Sequence, residues 1–372
     1  MNGSSIGKYL RLTTFGESHG AGLGAVLDGF PAGLPLSEED IQVYLDRRRP
    51  GSTSMGTTRN EPDRVELLSG VSEGVTTGTP IAMLVRNTSQ RSGDYSELSD
   101  KYRPGHADYG YDAKYGIRDW RGGGRSSGRE TIGRVAAGAI CSKLLNGLGI
   151  ECCAYTSSIG DIRIDPARFD AAFLHGSATA MPDPEADRQA RELVDSLRQA
   201  CDSVGSSVEC VIRGVPAGIG DPVFDKLDAL LARAVMSIGA VKAVSIGDGS
   251  KATTARGSYN NDSFIPDGAG GIAKATNHSG GILGGISDGS DILLRADFKP
   301  TPSISLPQDT VNSKGDAVEL SIHGRHDPVI APRAAVVVEC MCSFVILDAM
   351  LCNMGSRVNG IASFYGRPPF NS

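Results

Sequence analysis

The sequence predicts an α+β layered fold, and three observations carry that reading. Strand-like segments fall in runs and do not alternate strictly with helices, which argues against a doubly wound parallel sheet. The stretch 332–354 is apolar on nearly every side, as a central helix covered by its neighbours should be. Glycine fills 48 of 372 positions with neither period nor low-complexity tail, about twice the usual share of roughly 7%, which fits glycine-rich loops within a folded chain. The length allows one large domain or two ordinary ones, and nothing forces a split.

The elements follow in order. "KYLRLTTFGES" and "GLGAVLDG" read as two strands around the loop "GESHGAG", because apolar and β-branched residues flank the glycines. "SEEDIQVYLDRRR" opens on a Ser37 cap with Asp40 three positions on. It sets Ile41, Tyr44 and Leu45 on one face and ends at arginines suited to a helix C-terminus. Residues 50–60 and 86–120 are polar and aperiodic, and read as long functional loops. "RETIGRVAAGAICSKLLNGLG" carries Ile132, Val135, Ala136, Ala139, Ile140 and Leu144 at helical spacing, with small residues that allow close packing. Amphipathic helices are expected at 187–203 and 222–237, the second opened by "DP" as cap and first helical residue. Strand candidates are "SSVECVIRGVP", "KAVSIGDG", "DILLRADFKP" and "AVELSIHGRHD".

Charge narrows the function. The chain has 37 basic against 43 acidic side chains, a net charge of -6, which argues against a general nucleic-acid or membrane-surface binder. The basic residues must be local tools. They are 27 arginines and 10 lysines, with 13 of the arginines between residues 47 and 134. Arginine grips phosphate or carboxylate through a planar fork, so the bias points to a small, multiply anionic ligand. The eight cysteines show no CxxC pair and no Cys/His spacing suited to zinc, and read as reduced thiols with no metal. No apolar run at the N-terminus is long enough for a signal peptide, and Glu339 and Asp348 interrupt the most apolar C-terminal stretch, so the expectation is a cytoplasmic protein.

Several loops are candidates for chemistry. In "WRGGGRSSGRE", residues 120–130, successive glycines let backbone N–H groups converge on an anion at the start of the following helix, with Arg125, Ser126 and Ser127 as side-chain donors. A structural glycine turn is the plain alternative. An RGG-type RNA segment is the weakest, because such segments sit in disordered basic tails. His19 in "GESHG" and His106 in "RPGHAD" lie in glycine-flanked loops, where each is either an exposed bystander or a general acid or base. "GRHDP", residues 324–328, offers Asp327 either as a cap for the helix beginning near Pro332 or as a carboxylate base held by an arginine. Neither the dinucleotide fingerprint nor the P-loop pattern is present.

Taken together, "TTFGESHG", "RRRPG", "RPGHAD", "GGGRSSGRETIGRVAAGAI", "GVPAGIGDPVFDKLDA", "SGGILGGISDG", "KPTPSI" and "GRHDP" resemble the chorismate synthase family, in order and across almost the whole chain. The resemblance implies a lyase that eliminates phosphate from 5-enolpyruvylshikimate 3-phosphate in a 1,4-anti sense to give chorismate, the last step of the shikimate pathway. It also implies dependence on reduced FMN without net oxidation. His19 would protonate the departing phosphate, His106 would lie against the flavin and keep its protonation balance, and Asp327 would assist proton removal from C6 through flavin N5. Arg48, Arg103 and Arg129 match positions that grip the substrate. Arg125, Ser126, Ser127, Gly239, Ala240, Gly284, Lys299, Pro300, Thr301, Pro302, Ser303 and Arg325 match flavin-binding positions.

The resemblance further implies a single domain over 1–372, a β-α-β sandwich with helices packed between antiparallel sheets, a homotetramer, and neither nucleic-acid nor membrane partners. Two departures stand out. Ser54 occupies a position that is basic in many relatives, with Arg59 the nearest arginine downstream, and "SIGA" has Gly239 where many relatives have asparagine. The source of reducing equivalents, NADPH oxidised by the chain itself or an external flavin reductase, stays open, with Ser54 favouring the external one. A redox flavoprotein performing hydride transfer and an RNA binder acting through "RGGGR" are the competing readings.

Overall fold

The computed structural model describes residues 3–49, 51, 55, 61–88, 98–322 and 327–370. Two five-stranded antiparallel sheets form its outer layers. The first runs in the order Ser5–Ile6, Arg11–Gly16, Gly22–Asp28, Ile81–Arg86, Val65–Leu67. The second runs Val241–Ile246, Ile292–Phe298, Ser206–Arg213, Glu151–Ile159, Ile162–Arg163. Burial alternates with the two-residue period of a half-buried strand: Ile81, Met83 and Val85 point inward in one sheet, and Ile292, Leu294, Ala296 and Phe298 in the other.

Helices fill the space between. Thr131–Gly147 packs on the first sheet, Ala331–Asn353 on the second, and the two helices pack on each other, with Glu38–Arg48 and Leu227–Met236 beside them. Small residues make that close approach possible. A Cβ added at Gly138 would lie 2.3 Å from the Cβ of Cys340, and the Ser142 and Ser343 hydroxyls meet at 2.9 Å. The helix Ala331–Asn353 is long and apolar enough to cross a membrane, yet most of it is buried between the layers, which accounts for its all-round hydrophobicity.

The two sheets and their helices are built alike. "GFPAGL" at 29–34 has its counterpart in "GVPAGI" at 214–219, and "GVSEGVTTGTPIAMLVR" at 70–86 in "GILGGISDGSDILLRAD" at 281–297. The same bonds recur. The Thr76 hydroxyl donates to Pro31 O at 2.8 Å and accepts from Leu34 N at 3.0 Å; the Ser287 hydroxyl donates to Pro216 O at 2.6 Å and accepts from Ile219 N at 2.9 Å. Gly70 and Gly281 take φ of +81° and +80°, a left-handed conformation that glycine adopts without a Cβ clash. Each hairpin clips the chain leading from a sheet strand into a core helix.

Several expectations are corrected. The predicted helix at 222–237 begins only at Leu227: Val223 has φ of +69°, outside the helical range, and Leu227 N is pinned to Gly285 O at 2.8 Å, so "DP" is not its cap. The helix expected at 187–203 is Pro184–Gln199, capped by Asp183 with Pro184 as first residue. The loop 86–120 contains a helix, Asp108–Tyr115. Strands Ile81–Arg86 and Glu151–Ile159 are absent from the sequence expectation, and among the described residues of "AVELSIHGRHD" the strand covers Ala317–Leu320.

Candidate active site

His19 sits in the turn 17–21 that joins Arg11–Gly16 to Gly22–Asp28. Asn87, one residue beyond the strand Ile81–Arg86, holds that turn by donating to Glu17 O at 3.0 Å and Gly20 O at 2.8 Å. The Ser18 hydroxyl lies 3.2 Å from His19 Nδ1. Gly122 covers the ring: a Cβ added there would stand 2.5 Å from His19 Cε1, and its φ of +84° is a second reason for glycine.

His106 stands just before the helix Asp108–Tyr115, with Nδ1 2.9 Å from Asp108 Oδ1. Arg103, buried, grips the same carboxylate through Nε and Nη2, both at 2.7 Å, and its Nη2 also reaches Gly122 O at 2.8 Å. Arg118 adds a contact at 3.1 Å and ties down the carbonyls of Leu98, Ser99 and Lys101. Burial would raise the Asp108 pKa, but hydrogen bonds from Arg103 and then His106 outweigh it and hold the carboxyl far below its usual range.

A third cluster lies at the end of the helix Glu38–Arg48. Arg48, 1% exposed, meets Asp63 Oδ2 at 2.6 Å and donates to Gly128 O and the Thr131 hydroxyl. Arg129 meets Glu61 at 2.7 Å and Asp63 at 3.1 Å, and its other edge donates to Asn87 Oδ1 at 3.1 and 2.9 Å. Arg333 donates to Arg48 O at 2.8 Å and pairs with Asp327. Burial pushes the Arg48 guanidinium down to about 10, opposed first by Asp63, so it stays cationic at neutral pH. Asp63 is held below its ordinary value, burial being outweighed by Arg48 and then Arg129; its φ of +43° is a strained conformation for a non-glycine residue.

Asn87, Asp108 and Gly122 thus connect His19, His106, Arg103 and Arg129, and Asp63 and Arg333 extend the network to Arg48 and Asp327. Sequence reasoning missed Asn87, Asp108 and Arg333, and took Gly122 only as one of the anion-binding glycines. The spacing in "HAD" was the one available signal, a carboxylate two positions from a loop histidine. Of the two alternatives for Asp327, helix cap or carboxylate held by an arginine, the structure shows the carboxylate paired with Arg333, and the helix Ala331–Asn353 has no side-chain cap.

The phosphate-cradle reading changes in detail. Two 3₁₀ turns, Gly124–Ser126 and Gly128–Glu130, separate the glycines from the helix Thr131–Gly147. The Arg125 fork is spent on the Thr14 hydroxyl at 2.6 Å and on Gly16 O at 3.2 Å, the Ser126 hydroxyl on Gly123 O at 2.7 Å, and Ser127 accepts from Arg129 N at 3.3 Å. Lys299 bonds Gly105 O through Nζ and Ala240 O through its backbone at 3.0 Å, and Pro302 packs against Gly105, so this loop braces the His106 loop. Thr301 O accepts from Ser203 at 2.7 Å, and in the same loop Ser303 is buried while Pro300 is exposed. Gly239 and Ala240 follow Ser237, which accepts Arg134 Nη1 at 2.6 Å. Gly284 lies in the hairpin before Ile292–Phe298, at the opposite end of that strand from Lys299, and is not brought to the group. Arg325, Ser54 and Arg59 lie outside the described residues.

A cavity of about 950 Å³ opens beside this network, lined among others by Glu17, His106, Tyr111, Trp120, Gly122 and Arg125. That size is ample for a small ligand. Aromatic faces beside arginine and backbone amides fit the chemistry of a flat ring carrying a phosphate, so the residues present suit a flavin mononucleotide.

The comparisons agree with this picture. The family model described as chorismate synthase matches residues 10–351. A chorismate synthase of Agathobacter rectalis is 57% identical over 366 residues, covering 98% of this chain and 99% of its own. One from Methanocella arvoryzae is 53% identical over 367 residues, covering 98% of each. A crystal structure of a chorismate synthase superposes with a TM-score of 0.75 at 34% identity, covering 94% of both chains.

Proposed function

The chain belongs to the chorismate synthase family and is an enzyme of chorismate formation, a lyase; on that premise we propose that it eliminates phosphate from 5-enolpyruvylshikimate 3-phosphate in a 1,4-anti sense, with reduced FMN required and no net redox change. We place it in the cytoplasm as a homotetramer of single-domain subunits. Ser54, at a position that is basic in many relatives, favours an external reductase over NADPH oxidation by the chain itself as the source of its reduced flavin.

The observation that carries the reading is the pairing of His19 and His106 across Gly122 and Arg103 beside the arginine-lined cavity. Two loop histidines without such a connection would be bystanders. His19 is the proton donor to the departing phosphate. Arg103, Arg48 and Arg129 supply guanidinium charge for the substrate's anionic groups, where charge that develops on the leaving phosphate is offset. The Arg48 and Arg129 forks already meet Asp63 and Glu61, so an arriving anion shares them or displaces a carboxylate. Asp327, held by Arg333, is the base on the side of the C6 proton.

Arg125, Ser126, Ser127, Lys299 and the residues that follow it are the candidates to hold the flavin, with Arg125 turning from its contacts to Thr14 and Gly16. Reduced FMN, when bound, supplies an electron-rich ring that transiently shares density with the breaking C–O bond. The chain's part is to hold, orient and exclude water.

Protein mixed anaerobically with photoreduced FMN and substrate is expected to release phosphate and chorismate with only catalytic amounts of reductant. Folded protein that releases neither, or that consumes reductant in step with product, would overturn the proposal in favour of a redox flavoprotein.

A further inference from the structure

The Asp108 carboxylate is crowded with donors. Oδ2 accepts from Arg103 Nε at 2.7 Å and from Arg103 backbone N at 3.1 Å; Oδ1 accepts from Arg103 Nη2 at 2.7 Å and lies 3.1 Å from Arg118 Nη1. Guanidinium and peptide N–H groups can only donate, so the carboxylate is ionised and acts purely as an acceptor. His106 Nδ1 stands 2.9 Å from that same Oδ1. A lone pair facing a carboxylate makes no hydrogen bond, so Nδ1 must carry a proton. In the neutral ring the lone pair then falls on Nε2. The ring is mostly buried, and His106 lines the cavity of about 950 Å³. Among the described residues Arg103 and Arg118, which grip Asp108, and Lys299, which holds Gly105 O, are cationic; Glu17, Asp119 and Glu130 line the same cavity, and the carboxylate placed at Nδ1 is that of Asp108.

We propose that Asp108 is a positioning residue that fixes His106 as the Nδ1–H tautomer and so makes Nε2 the atom that takes up and returns a proton in the cavity. This rests on the reading of His106 as a reacting group. One proton arrives at Nε2 and the ring becomes imidazolium; the same proton later leaves from Nε2, and Asp108 stays a carboxylate throughout. Asp108 acts through His106, its two carboxylate oxygens being taken up by Arg103, Arg118 and the ring. Its rigidity comes from Arg103 and Arg118, which hold the carboxylate from two sides and leave it one orientation towards the ring.

The test is the ring nitrogen chemistry of the intact chain. With ¹⁵N-labelled histidine, and His106 assigned by its loss in His106→Asn, the neutral ring at alkaline pH is expected to show a protonated Nδ1 and a bare Nε2. In Asp108→Asn the amide oxygen stays with Arg103 and the NH₂ group turns to the ring, so the proton should move to Nε2. kcat should then fall by about 10² to 10⁴-fold, as when a general base is held in the wrong tautomer, with little change in KM. Asp108→Glu keeps an acceptor and should restore the Nδ1–H signal and part of the rate.

A wild-type ring with its proton on Nε2 would overturn the proposal without any variant. So would an Asp108→Asn protein that is folded and slow yet keeps the Nδ1–H tautomer. A shifted tautomer with unchanged kcat would leave Asp108 in its positioning place and overturn the reacting role of His106, which separates the two readings.

Discussion

The two halves of the molecule share a frame and differ in what they hang on it. In each, a "GxPAG" turn leads from a sheet strand towards a core helix, and a hairpin with a buried hydroxyl, Thr76 or Ser287, clips that turn in place. The intervals between matched elements are where they diverge. After Ile81–Arg86 the first half runs through 87–130 and delivers Arg103, His106, Arg125 and Arg129; after Ile292–Phe298 the second half runs through 299–330 and delivers Lys299 and Asp327. These matched intervals meet each other, Tyr102 N donating to Val311 O at 3.1 Å. The repeated frame is therefore scaffold, which itself carries His19 in a strand turn and Arg48 at a helix end, and the intervals add the other candidate residues on loops held by that rigid support.

The sharpest way to break the comparison is to remove both clip hydroxyls in turn. Thr76→Val and Ser287→Ala each remove a hydroxyl that bridges a backbone N–H and a C=O and should each cost about 1–3 kcal/mol in urea unfolding, two hydrogen bonds being lost at each site. If one site costs several times the other, the halves are not mechanically equivalent.

A somewhat smaller effect should separate them in acid. The strands Arg11–Gly16 and Gly22–Asp28 join through a short turn, whereas their counterparts Glu151–Ile159 and Ser206–Arg213 are joined through the helix Pro184–Gln199, whose cap Asp183 is buried and bonded to Arg168. Burial would raise its pKa, but Arg168 and then the backbone donors of Asp165, Ala186 and Glu185 bring the folded value to about 2, from an ordinary 3.8. The folded value is the depressed one, so the stabilisation is complete above the ordinary value and is lost as pH falls through the folded one, about 2 kcal/mol in all. Amide exchange followed between pH 4 and pH 2 should show this insertion loosening before the first half does, and Asp183→Asn should flatten that slope.

The smallest effect tests a single matched position. Glu73 and Gly284 occupy the same place in the two hairpins, with φ of +51° and +63°. Glu73→Gly should raise stability by a few tenths to about 1 kcal/mol, relieving left-handed strain at some cost in chain entropy, and Gly284→Ala should lower it by about 1 kcal/mol. Thermal melts that move both variants the same way would show that the two turns bear different loads.

Much of this was legible before any coordinates. Ser37 and Asp40 fixed one helix start, with Asp40 Oδ2 accepting from Ser37 N at 2.9 Å, and the all-apolar run 332–354 located the helix at the centre. The repeat was not legible, because likeness between the halves is confined to turn residues and the insertions shift its spacing. Strand Glu151–Ile159 was overlooked because both its faces are covered over most of its length, which erases the alternation that marks a half-buried strand.

The family, the arginine bias and the two loop histidines can be read from the amino-acid order alone, since they depend on residue identity and position along the chain. Only the tertiary structure decided that Asn87, Asp108 and Gly122 join those histidines, that the Arg48 and Arg129 forks face Asp63 and Glu61, and that Gly284 stands apart from Lys299. Those facts depend on which segments meet in space, and a hydrogen bond between distant residues leaves no local trace in composition or periodicity.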